Sequence, residues 1–278
     1  MNAMGNPQTK PVNQRSNGMK HTRIKHRLTA LVAAGAVFLA GSAQAQAPQP
    51  QTLTPSEYAL GLLKRATDKL AAAKSFTFKT TSSVEVPSPV GQTINYFSAA
   101  EVAVQRPDML AVKKTGDGPS FDLYYDGKTF GAVDAKLKLY ARMAAPPTLD
   151  ALIPLVLEQT GIQFPYADVL YSDVYAAVTK DLTHAYWVGK TTVDGVGCDH
   201  LAFAGPGLEW QVWLGPEKNP LPRRLAVTYL AVERQPRFLV NFSDWNLKAR
   251  LSAKRFEFQQ PADAKPIEFR PLLTKPNR

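Results

Sequence analysis

Cys198, Asp199 and His200 stand in a row and carry the residue types of a nucleophile, an acid and a base. A catalytic relay needs the base to reach both the nucleophile and the acid that orients it. This segment reads as a strand, so Cys198 and His200 project to one face and Asp199 to the other. The expectation is a buried thiol and a hydrogen-bonded imidazole. Asp168 and Asp173, on either side of Tyr171, could act as paired carboxylates for acid and base work. Their spacing places them on different faces of a helix, and capping by Asp is the ordinary explanation. His184 and His200 are the two histidines beyond residue 45, without the short ligand spacings that mark a zinc site. No Gly-rich phosphate loop, nucleophile elbow or His-Glu-x-x-His helix occurs. No catalytic residue, metal or cofactor is expected. A hydrolase using Cys198 with His200, or Asp168 with Asp173, stands as the third functional reading.

The aromatic residues are the informative excess: Trp187, Trp210, Trp213 and Trp245, with 10 Tyr and 13 Phe in the chain. Trp210 and Trp213 are an odd number apart and point to opposite faces of their strand. One lies inside and the other must be covered or exposed. Either the aromatics pack under a helical lid, or part of the inner face stays open for an apolar ligand. The candidate ligand face is Phe76, Phe78, Ile94, Tyr96, Leu110, Leu123 and Tyr125.

The elements that must position these residues follow from periodicity. Thr54-Pro55-Ser56-Glu57 combines a capping box with Pro at the first helical position, so a helix begins here. Ala59, Leu62, Leu63, Ala66, Leu70 and Ala73 follow as one apolar stripe, and the helix ends near Ser75. From Ser75 the period becomes two. Phe76, Phe78, Val84 and Val86 share one face; in the next strand Ile94, Tyr96, Val102 and Val104 do the same. Pro107-Asp108, Gly116 to Pro119, Asp126-Gly127 and Asp134-Ala135 punctuate four shorter strands ending near Met143, in a meander. Leu149 to Thr160 reads as a helix, with Gly161 as a left-handed cap and Pro154 as a bend or the true start. Short helical pieces at Tyr166 to Leu170 and Ser172 to Val178, the second capped by Ser172, complete an insertion. Alternation returns around 184–190, 197–204, 208–214, 223–231 and 236–245, with a shorter strand near 254–258; Asp194-Gly195 marks a hairpin. The fold class is α+β: a curved antiparallel sheet or half-open β-barrel of about eleven strands, with an N-terminal helix and a mid-chain helical lid.

Residues 20–45 read as a secretory signal. Lys20, His21, Arg23, Lys25, His26 and Arg27 form a basic head, Leu28 to Ala40 an apolar run, and Ala43-Gln44-Ala45 a small-residue cleavage site, with cleavage expected after Ala45. The run is too short to span a bilayer, and no cysteine follows it to carry a lipid. Met19 directly precedes the head and is a second candidate start besides Met1, which would make residues 1–18 an extension. Residues 46–53 form a Pro- and Gln-rich linker, and 54–278 a single domain. The precursor carries 33 Lys and Arg against 23 Asp and Glu; losing residues 1–45 leaves 27 against 23, or +4. The basicity belongs mostly to the signal, so no nucleic-acid partner is expected. The single Cys excludes an internal disulfide.

Several segments together resemble one family: Leu62-Leu63-Lys64-Arg65 leading into Ser75-Phe76-Thr77-Phe78, then Arg106-Pro107-Asp108, Tyr125-Asp126-Gly127-Lys128-Thr129 and Asp168-Val169-Leu170-Tyr171-Ser172-Asp173. The second half adds Asp194-Gly195-Val196, His200-Leu201-Ala202-Phe203, Trp210-Gln211-Val212-Trp213, Leu221-Pro222-Arg223-Arg224-Leu225 and Ser243-Asp244-Trp245-Asn246-Leu247. In order and spacing they resemble the predicted periplasmic proteins called domain of unknown function 2092. That family is similar in strand plan to the lipoprotein carriers LolA and LolB, through the Arg-Pro-Asp turn and the Tyr-Asp-Gly-Lys hairpin. The resemblance implies a half-closed barrel under helices that holds acyl chains, and a periplasmic binding or carrier protein for a lipid or acylated protein. The alternative is an envelope interaction or sensor module with a filled core and a protein partner. Neither needs a transmembrane segment in the mature chain.

Overall fold

The computed structural model describes residues 54–160, 162 and 166–270. The expected signal, the linker and the Gly161 cap lie outside the described residues. Helix α1 (Pro55–Ala71) starts where the capping box places it. The Thr54 amide donates to Glu57 Oε2 at 2.8 Å, and the Glu57 amide donates to Thr54 Oγ1 at 3.2 Å. The buried stripe of Ala59, Leu62, Leu63 and Ala66 then packs on Leu201, Phe203, Val212 and Leu214.

Two antiparallel meanders follow. The first comprises β1 (Ser75–Pro87), β2 (Thr93–Gln105), β3 (Met109–Gly116), β4 (Phe121–Tyr125), β5 (Thr129–Asp134) and β6 (Leu139–Ala144). The second comprises β7 (His184–Val193), β8 (Val196–Gly205), β9 (Leu208–Leu214), β10 (Pro222–Tyr229) and β11 (Arg237–Asn246). Asp194 and Gly195 both adopt positive φ, 49° and 76°, which suits the twist of the tight β7–β8 hairpin. The meanders join because β11 pairs with β1, from Thr77 opposite Asn246 to Val84 opposite Phe238. A last short strand, β12 (Lys265–Pro266), closes the count. The result is one open, curved sheet in the order β12-β6-β5-β4-β3-β2-β1-β11-β10-β9-β8-β7.

The C-terminal stretch corrects the reading of 254–258 as a strand: Ala253–Arg255 is a 3-10 turn. The twelfth strand is β12 instead, and it runs parallel to β6. Phe258 lies against Gly131 of β5, where a Cβ would collide with the ring. The close approach is what glycine supplies there.

The helical insertion leaves the sheet from β6 near one edge and returns to β7 at the other. It therefore has to cross the concave face. Its parts are α2 (Leu149–Thr160), a 3-10 turn (Ala167–Leu170) and α3 (Val174–Thr179). Pro154 sits inside α2 rather than at its start. Asp173, not Ser172, caps α3, its carboxylate accepting from the Ala176 amide at 2.9 Å. Ser172 is instead held by Asp150, whose Oδ1 accepts from the Ser172 amide at 2.8 Å. Leu149, Leu152 and Val156 of α2 are buried against Phe78, Leu110, Leu123 and Tyr125. Among the described residues no helix is long and apolar enough to cross a membrane.

Candidate functional site: a hollow under the helical cover

The concave face is packed around Phe78 and Leu123 and leaves two hollows, one on either side of Tyr166. Phe76, Phe78, Leu110, Leu123 and Tyr125 are 0–2% exposed and sit together in the filled part. Trp245 stacks on Phe78 at 4.5 Å between ring centroids. The Tyr125 hydroxyl donates to the Pro146 carbonyl at 2.6 Å, and burial pushes its pKa up to about 12. Ile94 and Tyr96 share the parity of Val102 and Val104 but lie in the outer half of the long β1–β2 hairpin, 42% and 39% exposed. Of the seven ligand-face candidates, the structure thus brings five together as packing and leaves two near the hairpin's far end.

The first hollow, about 390 Å³, lies between α1, α3 and strands β9–β11. Leu63, Ala66 and Leu70 form its roof from α1, and Ala177 and Val178 from α3; Trp210, Val212, Leu225 and Val227 form its floor. These positions were not singled out from sequence as a site. Two signals pointed toward them: the apolar stripe of α1 and the parity of the two tryptophans. Trp210 does face inward, stacked on Phe203 at 4.1 Å, whereas Trp213 lies on the other face between His200 at 4.1 Å and the Arg224 guanidinium at 5.8 Å.

A second hollow of about 380 Å³ lies beyond Tyr166, bounded by Val84, Tyr96, Val112, Phe121 and Phe238. Tyr166 borders both spaces, buried between Phe78, Phe238 and Phe242. Lys114, the one charged residue among the described lining of this second space, is engaged: its amine donates to the Pro119 carbonyl at 3.2 Å and lies 5.2 Å over the Phe121 ring.

The first hollow has a different polarity. Thr67 in its roof donates to the Leu63 and Lys64 carbonyls at 3.0 Å, so its hydroxyl is satisfied by its own helix. Asp168 lines the hollow and also the shallow cleft outside it, which Asp150, Tyr171, Asp173 and Lys180 share. Its charge raises the pKa of Tyr229 within and of Tyr171 without, each chiefly raised by burial, so the carboxylate stands in the doorway. The doorway is open to water, yet protein crowds the carboxyl enough to push its own pKa up by desolvation. Arg106 fixes the 3-10 turn that carries it: Nη2 donates to the Val169 carbonyl at 3.1 Å, and Nη1 donates to that of Leu170.

Apart from Asp168, the catalytic candidates are occupied otherwise. Cys198 is buried, its thiol pushed up in pKa by that burial and donating to the Val196 carbonyl at 3.3 Å. His200 Nε2 lies 2.9 Å from Gln211 Oε1. Asp199 accepts on the opposite face from Trp187 Nε1 and Lys190 Nζ, both at 3.1 Å. Asp173 is spent on its cap, and among the described residues no group of three or more His, Cys, Asp or Glu could hold a metal ion.

The family model described as "Predicted periplasmic protein (DUF2092)" matches residues 59–270. The chain belongs to the DUF2092 family. Its members are described as predicted periplasmic proteins. Among solved structures, this DUF2092 protein is similar to the lipoprotein LppX from Mycobacterium tuberculosis, at 15% identity and a TM-score of 0.42, over 70% of this chain and 98% of that one. It is similar to an uncharacterized conserved protein from Thermus thermophilus, at 10% identity and a TM-score of 0.43, over 76% and 99%. A LolA superfamily protein from Nitrosomonas europaea gives 12% identity and a TM-score of 0.34, over 72% and 97%. No curated protein matches the chain.

Proposed function

We propose that this DUF2092 protein, exported and folded as one domain from residue 54, binds or carries an apolar ligand in the periplasm. The ligand would be a lipid or the acyl chain of an acylated protein, received in the hollow beneath α1 and α3. The observation that carries this reading is the contrast along one concave face. Protein interiors are close-packed, with few voids larger than a water molecule. Here the residues around Phe78 and Leu123 under α2 are packed to that standard, while about 390 Å³ stays open beneath α1 and α3 behind mostly apolar walls. That volume falls within the range of about 300–1,000 Å³ usual for ligand pockets. Each methylene buried there contributes about 0.8 kcal/mol. Ten of them would give about 8 kcal/mol before the cost of immobilising the chain is subtracted.

The test uses delipidated protein and an uncharged fluorescent probe, N-phenyl-1-naphthylamine. Saturable binding of one probe per chain is expected, abolished by Ala177→Trp, which places an indole in the hollow from the half-buried face of α3. Fluorescence that rises without saturation, or that Ala177→Trp leaves unchanged, would refute the proposal.

A further inference from the structure

We infer that the guest of this hollow is an amphiphile with an ammonium head, its chain among Leu63, Trp210 and Val212 and its head against the Asp168 carboxylate. The inference rests on the reading of the hollow as the ligand site and adds the chemical class. Among the described residues that line the space there is no Lys, Arg or His. Lys180 lines only the outer cleft, so inside the hollow nothing offers a carboxylate or phosphate head a countercharge. Asp168 would instead repel it, at a doorway where crowding by protein weakens the screening that water provides.

Two carboxylates line the hollow, Asp168 and Asp181, while those of the outer cleft have structural partners. Asp150 holds Ser172, and Asp173 caps α3. Asp168 has no hydrogen-bond or ionic partner among the described residues; Arg106 donates instead to the Val169 and Leu170 carbonyls. Asp168 stands at the mouth of an apolar space, reached by water on its outer side and free to meet a cation there. An ammonium group supplies three donors and the opposite charge, while the attached chain fills the hollow behind it. The second hollow shows the contrast, since its lysine is already engaged with Pro119 and Phe121.

Isothermal titration of the delipidated protein at pH 7 with dodecylammonium, dodecanol and dodecanoate, each below its micelle concentration, separates the possibilities. The expected order is ammonium tightest, alcohol next and carboxylate weakest, with at least a tenfold gap between the two ions. Asp168→Asn should bring the ammonium to within twofold of the alcohol and leave the alcohol unchanged. Asp168→Glu should keep most of the preference, and Ala177→Trp should abolish binding of all three. Dodecanoate binding as tightly as dodecylammonium, or a preference that survives Asp168→Asn, overturns the inference while the hollow remains a binding site. If none of the three binds, the hollow's role and the inference fall together.

Discussion

Leu70 and Leu123 offer a controlled test of the division between the packed region and the hollow. They share side chain and burial, at 1% and 0% exposure, and differ in what lies beside them. Leu123 is enclosed by packed neighbours under α2, whereas Leu70 forms part of the wall of the 390 Å³ space. Truncating a buried Leu to Ala costs about 2–5 kcal/mol, a transfer contribution plus one for the packing partners left facing a void. The transfer contribution is nearly common to both, about 2.4 kcal/mol for three carbons at 0.8 each. The remainder differs. Atoms around Leu123 lose contacts on every side, while Leu70 already lacks partners on the hollow side and has fewer to forfeit. Leu123→Ala should therefore cost about 4–5 kcal/mol and Leu70→Ala about 2–3 kcal/mol in ligand-free protein. Urea unfolding followed by tryptophan fluorescence reads this directly. With a slope of about 2 kcal/mol per molar, the two midpoints should differ by about 1 M. Equal midpoints, or a larger loss for Leu70→Ala, would show that the space is closed in solution and would remove the basis for a ligand there.

Two further outcomes follow from the polar groups. Because burial raises the Asp168 pKa, the unfolded carboxyl ionises first as pH climbs past 3.8, so the favourable contribution is complete below that value and is lost on passing through the folded pKa. Asp168→Asn should accordingly melt higher than the parent at pH 7 without ligand and show no advantage at pH 3; a lower melting temperature at pH 7 would contradict the desolvated site. The buried Cys198 thiol, raised in pKa, should react with a disulfide reagent at pH 8 many times more slowly in native protein than in urea. Comparable rates would mean that it is exposed.

Much of the scaffold was legible because its signals are local. The Thr54 to Glu57 box, the stripe on α1, the period-two alternation of the strands and the Asp194-Gly195 turn each depend on a few neighbouring side chains, and each appears where it was expected. The strand near 254–258 was misread because the short alternating run there closes as a 3-10 turn, and Phe258 packs on Gly131, a contact distant in sequence. Ser172 and Asp173 are both good caps by type; which one serves is decided by Asp150, another remote residue. The hollow was beyond reach for a related reason. Side-chain parity tells which residues face inward, and Ile94 and Tyr96 do share the face of Val102, but it cannot tell how far the cover extends or where it leaves a gap. Asp168 could be noticed as a carboxylate, yet its place at the mouth of the hollow depends on the turn that Arg106 holds through the Val169 and Leu170 carbonyls.

The helical segment that ties β6 to β7 behaves like the string of a bow, with the sheet as the limb. Its contour is finite, so β6 and β7 can separate only as far as that tether allows, and flattening of the β layer between them is resisted in tension as well as by twist. Slack gained by unravelling the short α3, Val174–Thr179, would let the limb straighten beside α1. A bulky passenger would on this account be admitted by a small loss of helix rather than by a swinging door.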